Sequence, residues 1–258
     1  MTDVRSDKAA GPGAVYFLTE PARGLADLAM LPMASPWLAS APRGDGHGVL
    51  VLPGFLASDR STRTLRRYLR RLHYQVRGWD LGRNLGPTDQ VLDQLPEVLA
   101  AHARASGGPV SIIGWSLGGI FAREIARQDP GSVRQVITLG SPFGLTDPAQ
   151  SRADRAYRRR SRLHAAGRVP SAEEIMRPID VPSTAVFSRR DGIVAWQSCI
   201  EPETTLHDNV EVRCSHLGFG VDPATLWLIA NRLAQPPGPQ SRFRPGPVQR
   251  SLYPRRRN

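Results

Sequence analysis

The stretch SIIGWSLGG, residues 111–119, places a polar serine between two glycines directly after a short apolar run. The apolar run predicts a buried strand, and the residues from Leu117 onward have the pattern of a helix. A sharp turn from a strand into a helix strains the backbone at its tip and crowds the positions two before and two after it. Gly114 and Gly118 would relieve that crowding and leave the hydroxyl of Ser116 exposed at a helix start. The alternative is an ordinary glycine-rich turn in which Ser116 is a helix cap.

Apolar runs alternate with amphipathic segments on both sides of this turn. Continuous apolar runs are typical of strands that are buried on both faces. The predicted strands lie within residues 48–55, 74–79, 109–114, 133–140, 183–188 and 209–214, and the predicted helices within residues 61–72, 91–106, 117–130 and 222–234. Strands that alternate with helices predict an α/β fold with a doubly wound, mostly parallel sheet flanked by helices.

The 258 residues are sufficient for one such domain with a sizeable core, because 40% of them are hydrophobic. We assign residues 47–234 to this domain and residues 1–46 to an N-terminal extension with a short helix. Residues 146–180 are sparsely apolar and helical in pattern, which predicts a small cap, either a mobile lid or a plain solvated helix. Residues 235–258 are rich in proline and arginine and poor in apolar residues, which predicts a disordered tail.

The formal net charge of +11 raises the alternative of a basic nucleic-acid-binding protein. The sequence has neither a zinc-finger spacing nor a ribonucleoprotein motif, so this alternative is the weaker one. Six arginines of residues 235–258 and a cluster within residues 152–168 instead suggest, as a secondary hypothesis, weak association with anionic membrane surfaces or acidic substrates.

The N-terminal residues contain no uninterrupted apolar segment, so we expect neither a signal peptide nor a membrane span. The expected location is therefore the cytoplasm. Two cysteines do not form a disulfide framework, and in a reducing compartment Cys199 and Cys214 are expected to be free. A bridge between them stays an alternative, since both lie close to candidate site residues.

A serine hydroxyl is a weak nucleophile and requires a base and an orienting acid. Asp191 follows a predicted strand within a turn that contains Gly192, and His216 follows the last predicted strand. Because carboxyl ends of parallel strands meet at one edge of a sheet, we expect both side chains near Ser116. The competing acid is Asp147, which lies farther from the end of its strand.

An oxyanion at this site would require two backbone N–H donors. The first candidate is the amide of Leu117, directly after the serine. The second is expected from the turn after the first strand, where Gly54 lets the chain bend back. Phe55 is the preferred second donor, and Leu56 is the close alternative.

The motifs LPGF (52–55), GWSLGG (114–119), SRRDGIV (188–194) and CSHLGFG (214–220) resemble those of α/β-hydrolases, in particular the small bacterial lipases and esterases. The resemblance covers residues 48–233. It implies a Ser-His-Asp ester hydrolase that works through an acyl-enzyme and needs no metal or cofactor. The sequence departs from many relatives by Pro53-Gly54 in place of His-Gly, and it has no Gly-Gly-Gly run there.

The function predicted from the sequence is hydrolysis of carboxylic, lipid-like esters by Ser116, His216 and Asp191. An acyltransferase on the same fold is the alternative, because both reactions use the same three side chains and differ in whether water reaches the acyl-enzyme. The expected partner is a small-molecule or lipid ester, with no nucleic acid. Acyl-chain length, leaving group and oligomeric state do not follow from the sequence.

Overall fold

The computed structural model describes residues 11–165, 167–247 and 249–254, and its centre is a six-stranded sheet in which all neighbouring strands are parallel. The strands are β1 (Gly48–Leu52), β2 (Gln75–Gly78), β3 (Val110–Trp115), β4 (Val133–Leu139), β5 (Ser183–Ser188) and β6 (His207–Val212). Their order across the sheet is β2-β1-β3-β4-β5-β6. The predicted doubly wound α/β architecture is confirmed.

Helices cover both faces of the sheet. They are α1 (Ala14–Ala29), α2 (Leu31–Ala39), α3 (Arg63–Arg71), α4 (Asp89–Ser106), α5 (Leu117–Gln128), α6 (Asp154–Arg159), α7 (Ala172–Met176) and α8 (Pro223–Leu233). Helix α8 begins as the sequence predicts, because the carboxylate of Asp222 accepts a hydrogen bond of 2.7 Å from the N–H of Thr225 and Pro223 occupies the first turn.

Alternate side chains of the strands point to opposite faces and build two cores. Val49 and Val51 of β1 pack on the side of α2, α3 and α8, whereas Leu50 and Leu52 pack on the side of α4 and α5. Strand β1 is thus apolar on both faces, which explains its continuous apolar run in the sequence. The strand order changes direction between β1 and β3, so a crevice opens at their carboxyl ends. Ser116 follows β3 at this crevice.

The two ends of the chain differ from the sequence prediction. The N-terminal region, expected to be an extension with a short helix, contains α1 and α2, and both helices contact the domain. The sequence predicts a disordered tail, whereas in the structure aromatic side chains of residues 235–247 and 249–254 pack against the domain. Phe243 and Tyr253 are both buried, and the hydroxyl of Tyr253 donates to the carbonyl of Ala224 at 2.7 Å. Aromatic packing and hydrogen bonds, among them one of 2.6 Å from the N–H of Phe243 to the carboxylate of Asp208, attach this proline-rich segment although its composition is unfavourable for packing.

The segment between β4 and β5 contains the expected cap as short helical pieces. Helix α6 and helix α7 lie within it, together with single turns at Pro148–Gln150 and Ser161–Leu163. The cap is bound to the loop after β2 by a hydrogen bond of 2.9 Å from the N–H of Ala165 to the carbonyl of Pro87. No helix within the described ranges is long and apolar enough to cross a membrane.

Candidate active site

Ser116 occupies the tight turn between β3 and α5. Its φ of 54° and ψ of −121° lie in a region that non-glycine residues rarely adopt. A Cβ on Gly114 would stand 2.3 Å from the Cα of Gly119, and a Cβ on Gly118 would stand 2.5 Å from the carbonyl oxygen of Leu52. Both glycines are therefore required by the close approach of α5 to the ends of β3 and β1, since neither has a positive φ itself.

Asp191 and His216 form a buried pair at the same edge of the sheet. Asp191 follows β5 and His216 follows β6, and the Asp191 Oδ2 lies 2.6 Å from the His216 Nδ1. The Asp191 Oδ1 accepts hydrogen bonds of 2.8 Å from the N–H groups of Ile193 and Val194, which fix the orientation of the carboxylate. Because a carboxylate only accepts hydrogen bonds, Nδ1 of the ring carries a proton and Nε2 of the neutral ring keeps its lone pair.

The surroundings of His216 favour its protonated form. Burial lowers the pKa of His216, but the charge of Asp191, the hydrogen bond to that carboxylate and the charge of Glu20 raise it by more. The net pKa of His216 therefore lies above its ordinary value. An imidazolium formed when this ring accepts a proton is stabilised by the same interactions.

Residues next to Ser116 in the chain and in the sheet lie beside the His216–Asp191 pair. The N–H of Ser116 donates to the carbonyl of Leu139 at 2.8 Å, and a Cβ on Gly140 would lie 3.2 Å from the His216 Nδ1. The indole N–H of Trp115 donates to the carbonyl of His216 at 3.1 Å. Among the described residues no hydrogen bond joins the hydroxyl of Ser116 to His216. Such bonds are often long without substrate and tighten in the substrate complex.

Two backbone amides lie free beside Ser116. The N–H of Leu56 donates to the carbonyl of Asn84 at 2.7 Å and is unavailable to a substrate. The amides of Phe55 and Leu117 make no hydrogen bond within the described part of the chain. The loop that carries Phe55 lies against the serine, because a Cβ on Gly54 would stand 3.2 Å from the Cβ of Ser116. This geometry favours Phe55 over Leu56 as the second donor.

The competing acid, Asp147, has a different role. Its Oδ1 accepts a hydrogen bond of 2.8 Å from the N–H of Ala149, and its side chain caps the turn Pro148–Gln150. Asp147 is exposed and makes no contact with His216 in the described ranges. Of the two acids considered from the sequence, only Asp191 is brought to the histidine.

At the opposite end of the sheet, another histidine lies within hydrogen-bond distance of both a serine and an aspartate. The His47 Nε2 lies 2.8 Å from the Ser111 Oγ, and the His47 Nδ1 lies 2.5 Å from the Asp45 Oδ1. Ser111 has no solvent exposure, so a substrate carbonyl has no access to its hydroxyl. Burial lowers the pKa of His47. This group is a hydrogen-bond chain that runs from the exposed Asp45 to the buried Ser111.

A cavity of about 310 Å³ opens beside Ser116. Its lining is mainly apolar, with side chains of the domain on one side and of the cap on the other. The cap contributes Tyr157, whose ring centre lies 5.5 Å from that of Phe55, and Ile175 of α7. The cap thus forms one wall of the cavity, whether or not it moves.

Sequence reasoning missed the part played by α1. The carboxylate of Glu20, only 2% exposed, accepts hydrogen bonds from the N–H groups of Gly192, His216 and Leu217 at 2.7, 3.1 and 3.2 Å. The available signal was Glu20 itself, one of two acids in a mainly apolar helical segment. Its partners are about 170 to 200 positions away, so no local pattern identifies them.

Cys199 and Cys214 are both free and fully buried. Burial raises the pKa of each thiol well above its ordinary value. The bridge considered from the sequence is not formed, and neither thiol belongs to the reactive, low-pKa class.

The fold is similar to those of several solved structures. Lipase B of Aspergillus fumigatus superposes with a TM-score of 0.54 at 16% identity, covering 78% of this chain and 55% of that chain. A structure of the metagenome-derived lipolytic enzymes LipS and LipT superposes with a TM-score of 0.51 at 17% identity, covering 74% of this chain and 93% of that chain. A lipase-esterase related protein from Clostridium acetobutylicum superposes with a TM-score of 0.50 at 13% identity, covering 75% of this chain and 97% of that chain. The chain thus spans little more than half the length of the Aspergillus lipase. No family model and no curated protein matches the sequence. At these identities the similarity establishes a shared fold.

Proposed function

We propose that this chain, which has the α/β-hydrolase fold, is a serine hydrolase that cleaves carboxylic esters with apolar acyl groups. The observation that carries the proposal is the position of Ser116. It lies on a strained turn at the wall of an apolar cavity, at the same sheet edge as the hydrogen-bonded pair of His216 and Asp191.

The chemistry follows from the geometry of these groups. Nε2 of His216 removes the proton from the hydroxyl of Ser116 as Oγ attacks the ester carbonyl carbon. The negative charge that develops on the carbonyl oxygen is stabilised by the free amides of Phe55 and Leu117. Asp191 holds the ring in the tautomer that leaves Nε2 unprotonated, and it stabilises the imidazolium after transfer.

Collapse of this intermediate breaks the bond to the alcohol oxygen, which receives the proton from His216. The acyl group then remains on Ser116 as an ester. His216 next removes a proton from water, whose oxygen attacks the acyl carbon, and the carboxylic acid leaves as Oγ of Ser116 regains a proton. An alcohol that replaced water at this step would make the protein an acyltransferase.

The cavity supports an apolar acyl group as the recognised part of the substrate. Ile120 and Phe121 of α5 line it from the domain, and Ile175 lines it from the cap. Burial of an acyl chain against these side chains gains roughly 0.8 kcal/mol for each CH₂ group removed from water. The preferred chain length is therefore set by the depth of this cavity.

The first test is labelling of the protein with a fluorophosphonate probe, followed by hydrolysis of p-nitrophenyl esters of increasing chain length. We expect an adduct on Ser116 and none in Ser116→Ala. Ile175→Trp should shift the preferred acyl chain to shorter esters because it fills the cavity. The matched control is Met176→Trp at the next position of α7, which does not line the cavity.

Absence of both labelling and hydrolysis in the folded protein would contradict the proposal. Product analysis with added alcohols separates the hydrolase from the acyltransferase, which would form a new ester in place of the free acid. The cytoplasmic location and the association with anionic membranes stay predictions.

A further inference from the structure

Helix α1 lies across the two loops that carry Asp191 and His216. Three of its side chains face them with helical spacing: Glu20, Arg23 and Asp27. The Arg23 Nη1 donates to the carbonyl of Arg190 at 2.8 Å, and the Asp27 Oδ2 accepts bonds of 3.1 and 2.7 Å from the N–H and hydroxyl of Ser215. One face of α1 therefore contacts both loops.

The carboxylate of Glu20 makes the most direct of these contacts. One oxygen, Oε1, accepts from the N–H of Gly192 next to Asp191 and from the N–H of His216 itself. The other, Oε2, accepts from the N–H of Leu217. A single carboxylate thus binds backbone groups of both loops. These bonds connect the loop of the acid to the loop of the histidine.

Burying a carboxylate costs free energy unless its oxygens are bound by donors. Here the charged partner of Glu20 is Arg23, at 2.8 Å, and the neutral donors are the N–H groups of the two loops. A leucine or methionine at this position would avoid that cost but would leave the buried N–H groups of Gly192 and His216 without an acceptor. The buried position of Glu20 is explained if its negative charge, and not only the volume of its side chain, contributes to the site.

We propose that Glu20 is a positioning residue, which holds the loops of Asp191 and His216 in register and stabilises the imidazolium of His216 through its negative charge. This inference rests on the proposed function for its effect on turnover, because only a reaction in which His216 accepts a proton makes use of the imidazolium. Its structural part, that Glu20 fixes the relative position of the two loops, does not depend on the substrate.

The charged groups around His216 determine the sign of the expected effect. Asp191 is bonded to its ring, Glu20 to its backbone N–H, Arg23 to Glu20, and Asp27 to the preceding Ser215. Loss of the negative charge of Glu20 removes a contribution that raises the pKa of His216. The pKa of His216 should then fall, and activity should persist to lower pH than in the wild type.

The test compares Glu20→Gln and Glu20→Ala with the wild type in the full chain. Three quantities are measured: kcat and KM as functions of pH, the melting temperature, and the pKa of His216 from NMR titration of its ring protons. The His216 signals are assigned by their loss in His216→Gln. Glu97→Gln, which removes an exposed charge on α4, is the matched control.

We expect Glu20→Gln to fold, because the amide keeps one oxygen that accepts loop N–H groups. It should lower the pKa of His216 and move the acid limb of kcat/KM to lower pH. Glu20→Ala should lower kcat about 100-fold, as expected for misplaced catalytic groups, with KM changed only a few-fold. Glu20→Gln should recover part of that kcat.

A second control separates position from charge. The hydroxyl of Ser188 donates to the carbonyl of Cys214 at 2.6 Å and joins the same two segments through a neutral group. Ser188→Ala should lower the melting temperature without changing the pKa of His216. An equal pKa shift in Ser188→Ala and Glu20→Gln would show that loop loosening, and not charge, is responsible, and would overturn the electrostatic part of the proposal.

The electrostatic part is overturned if Glu20→Gln leaves the pKa of His216 and the pH profile unchanged. The positioning part is overturned if the loss of activity in Glu20→Ala equals the unfolded fraction. If Glu20→Ala does not fold, Glu20→Gln decides alone. A wild type without esterase activity or probe labelling contradicts the proposed function, and the NMR titration still tests Glu20 in that case.

Discussion

The Asp191 Oδ2 lies 2.6 Å from the His216 Nδ1, although 25 positions of the chain separate the two residues. They meet because β5 and β6 are parallel neighbours, whose following loops leave the sheet at the same edge. The distance is that of a charge-assisted hydrogen bond. Since the remaining carboxylate oxygen is held by two amides, this bond determines the tautomer of the ring.

Asp191→Asn should lower kcat by about 10⁴ while the protein stays folded, because the amide favours the wrong tautomer of His216. Asp147→Asn should stay close to the wild type, since Asp147 only caps a turn of the cap. Steady-state kinetics and circular dichroism on both variants are the measurements. A silent Asp191→Asn beside a damaged Asp147→Asn would reassign the acid.

Ser116→Ala should lower kcat by about 10⁴ to 10⁶ and abolish labelling by a fluorophosphonate. His216→Ala should have a similar effect, and the double variant should be little worse, because the side chains act as one unit. Ser111→Ala is the internal control, since its buried hydroxyl belongs to the other serine, histidine and aspartate group. Activity retained in Ser116→Ala and lost in Ser111→Ala would exchange the roles of the two groups.

The rate should fall as the pH is lowered through the pKa of His216, because the protonated ring does not accept the proton of Ser116. Folding raises this pKa, so the acid limb of kcat/KM should have its midpoint above 6.5, the ordinary value of histidine. The profile is measured with an ester whose leaving group does not titrate in this range. A midpoint below 6.5 would assign the limb to another group or the histidine to another environment.

Asn84 should influence turnover through the loop that carries Phe55. Its buried side chain donates to the carbonyl of Pro53 at 2.8 Å, and its own carbonyl accepts from Leu56. Asn84→Ala leaves the carbonyl of Pro53 unpaired, at a cost of about 1–3 kcal/mol in stability. Since loss of a whole oxyanion donor lowers kcat by about 10² to 10³, its displacement should lower kcat by about 10-fold. Arg83→Ala, at the exposed neighbouring position, should change neither quantity.

The C-terminal segment should contribute to stability. The ring of Phe243 lies between those of Trp227 and Tyr253, at centre distances of 6.4 and 5.0 Å. Phe243→Ala should therefore lower the free energy of unfolding by about 3–5 kcal/mol, measured by urea denaturation. Arg244→Ala, next to it and exposed, should change it by less than about 0.5 kcal/mol. Equal effects of the two substitutions would restore the disordered tail predicted from composition.

Much of the architecture was predictable from local patterns. Apolar runs identify the strands, and amphipathic segments identify the helices, because each segment shows the periodicity of its own burial. Asp222 marks the start of α8. The glycines around Ser116 identify the turn between β3 and α5, because only a residue without a side chain tolerates the approach found at Gly114 and Gly118. Asp191 and His216 were predicted because each directly follows a predicted strand, and the parallel order then predicts that they lie at one edge of the sheet.

Contacts between distant segments were decided only by the tertiary structure. The sequence already favoured Phe55 over Leu56, but the hydrogen bond from Leu56 to Asn84 is visible only in the structure. Burial of the C-terminal segment likewise depends on how Phe243 and Tyr253 pack. Glu20 is the clearest case, because its hydrogen bonds reach loops at the other end of the chain. The physical reason is that burial and hydrogen-bond partners are properties of a packed surface, whereas composition and periodicity describe only the chain that forms it.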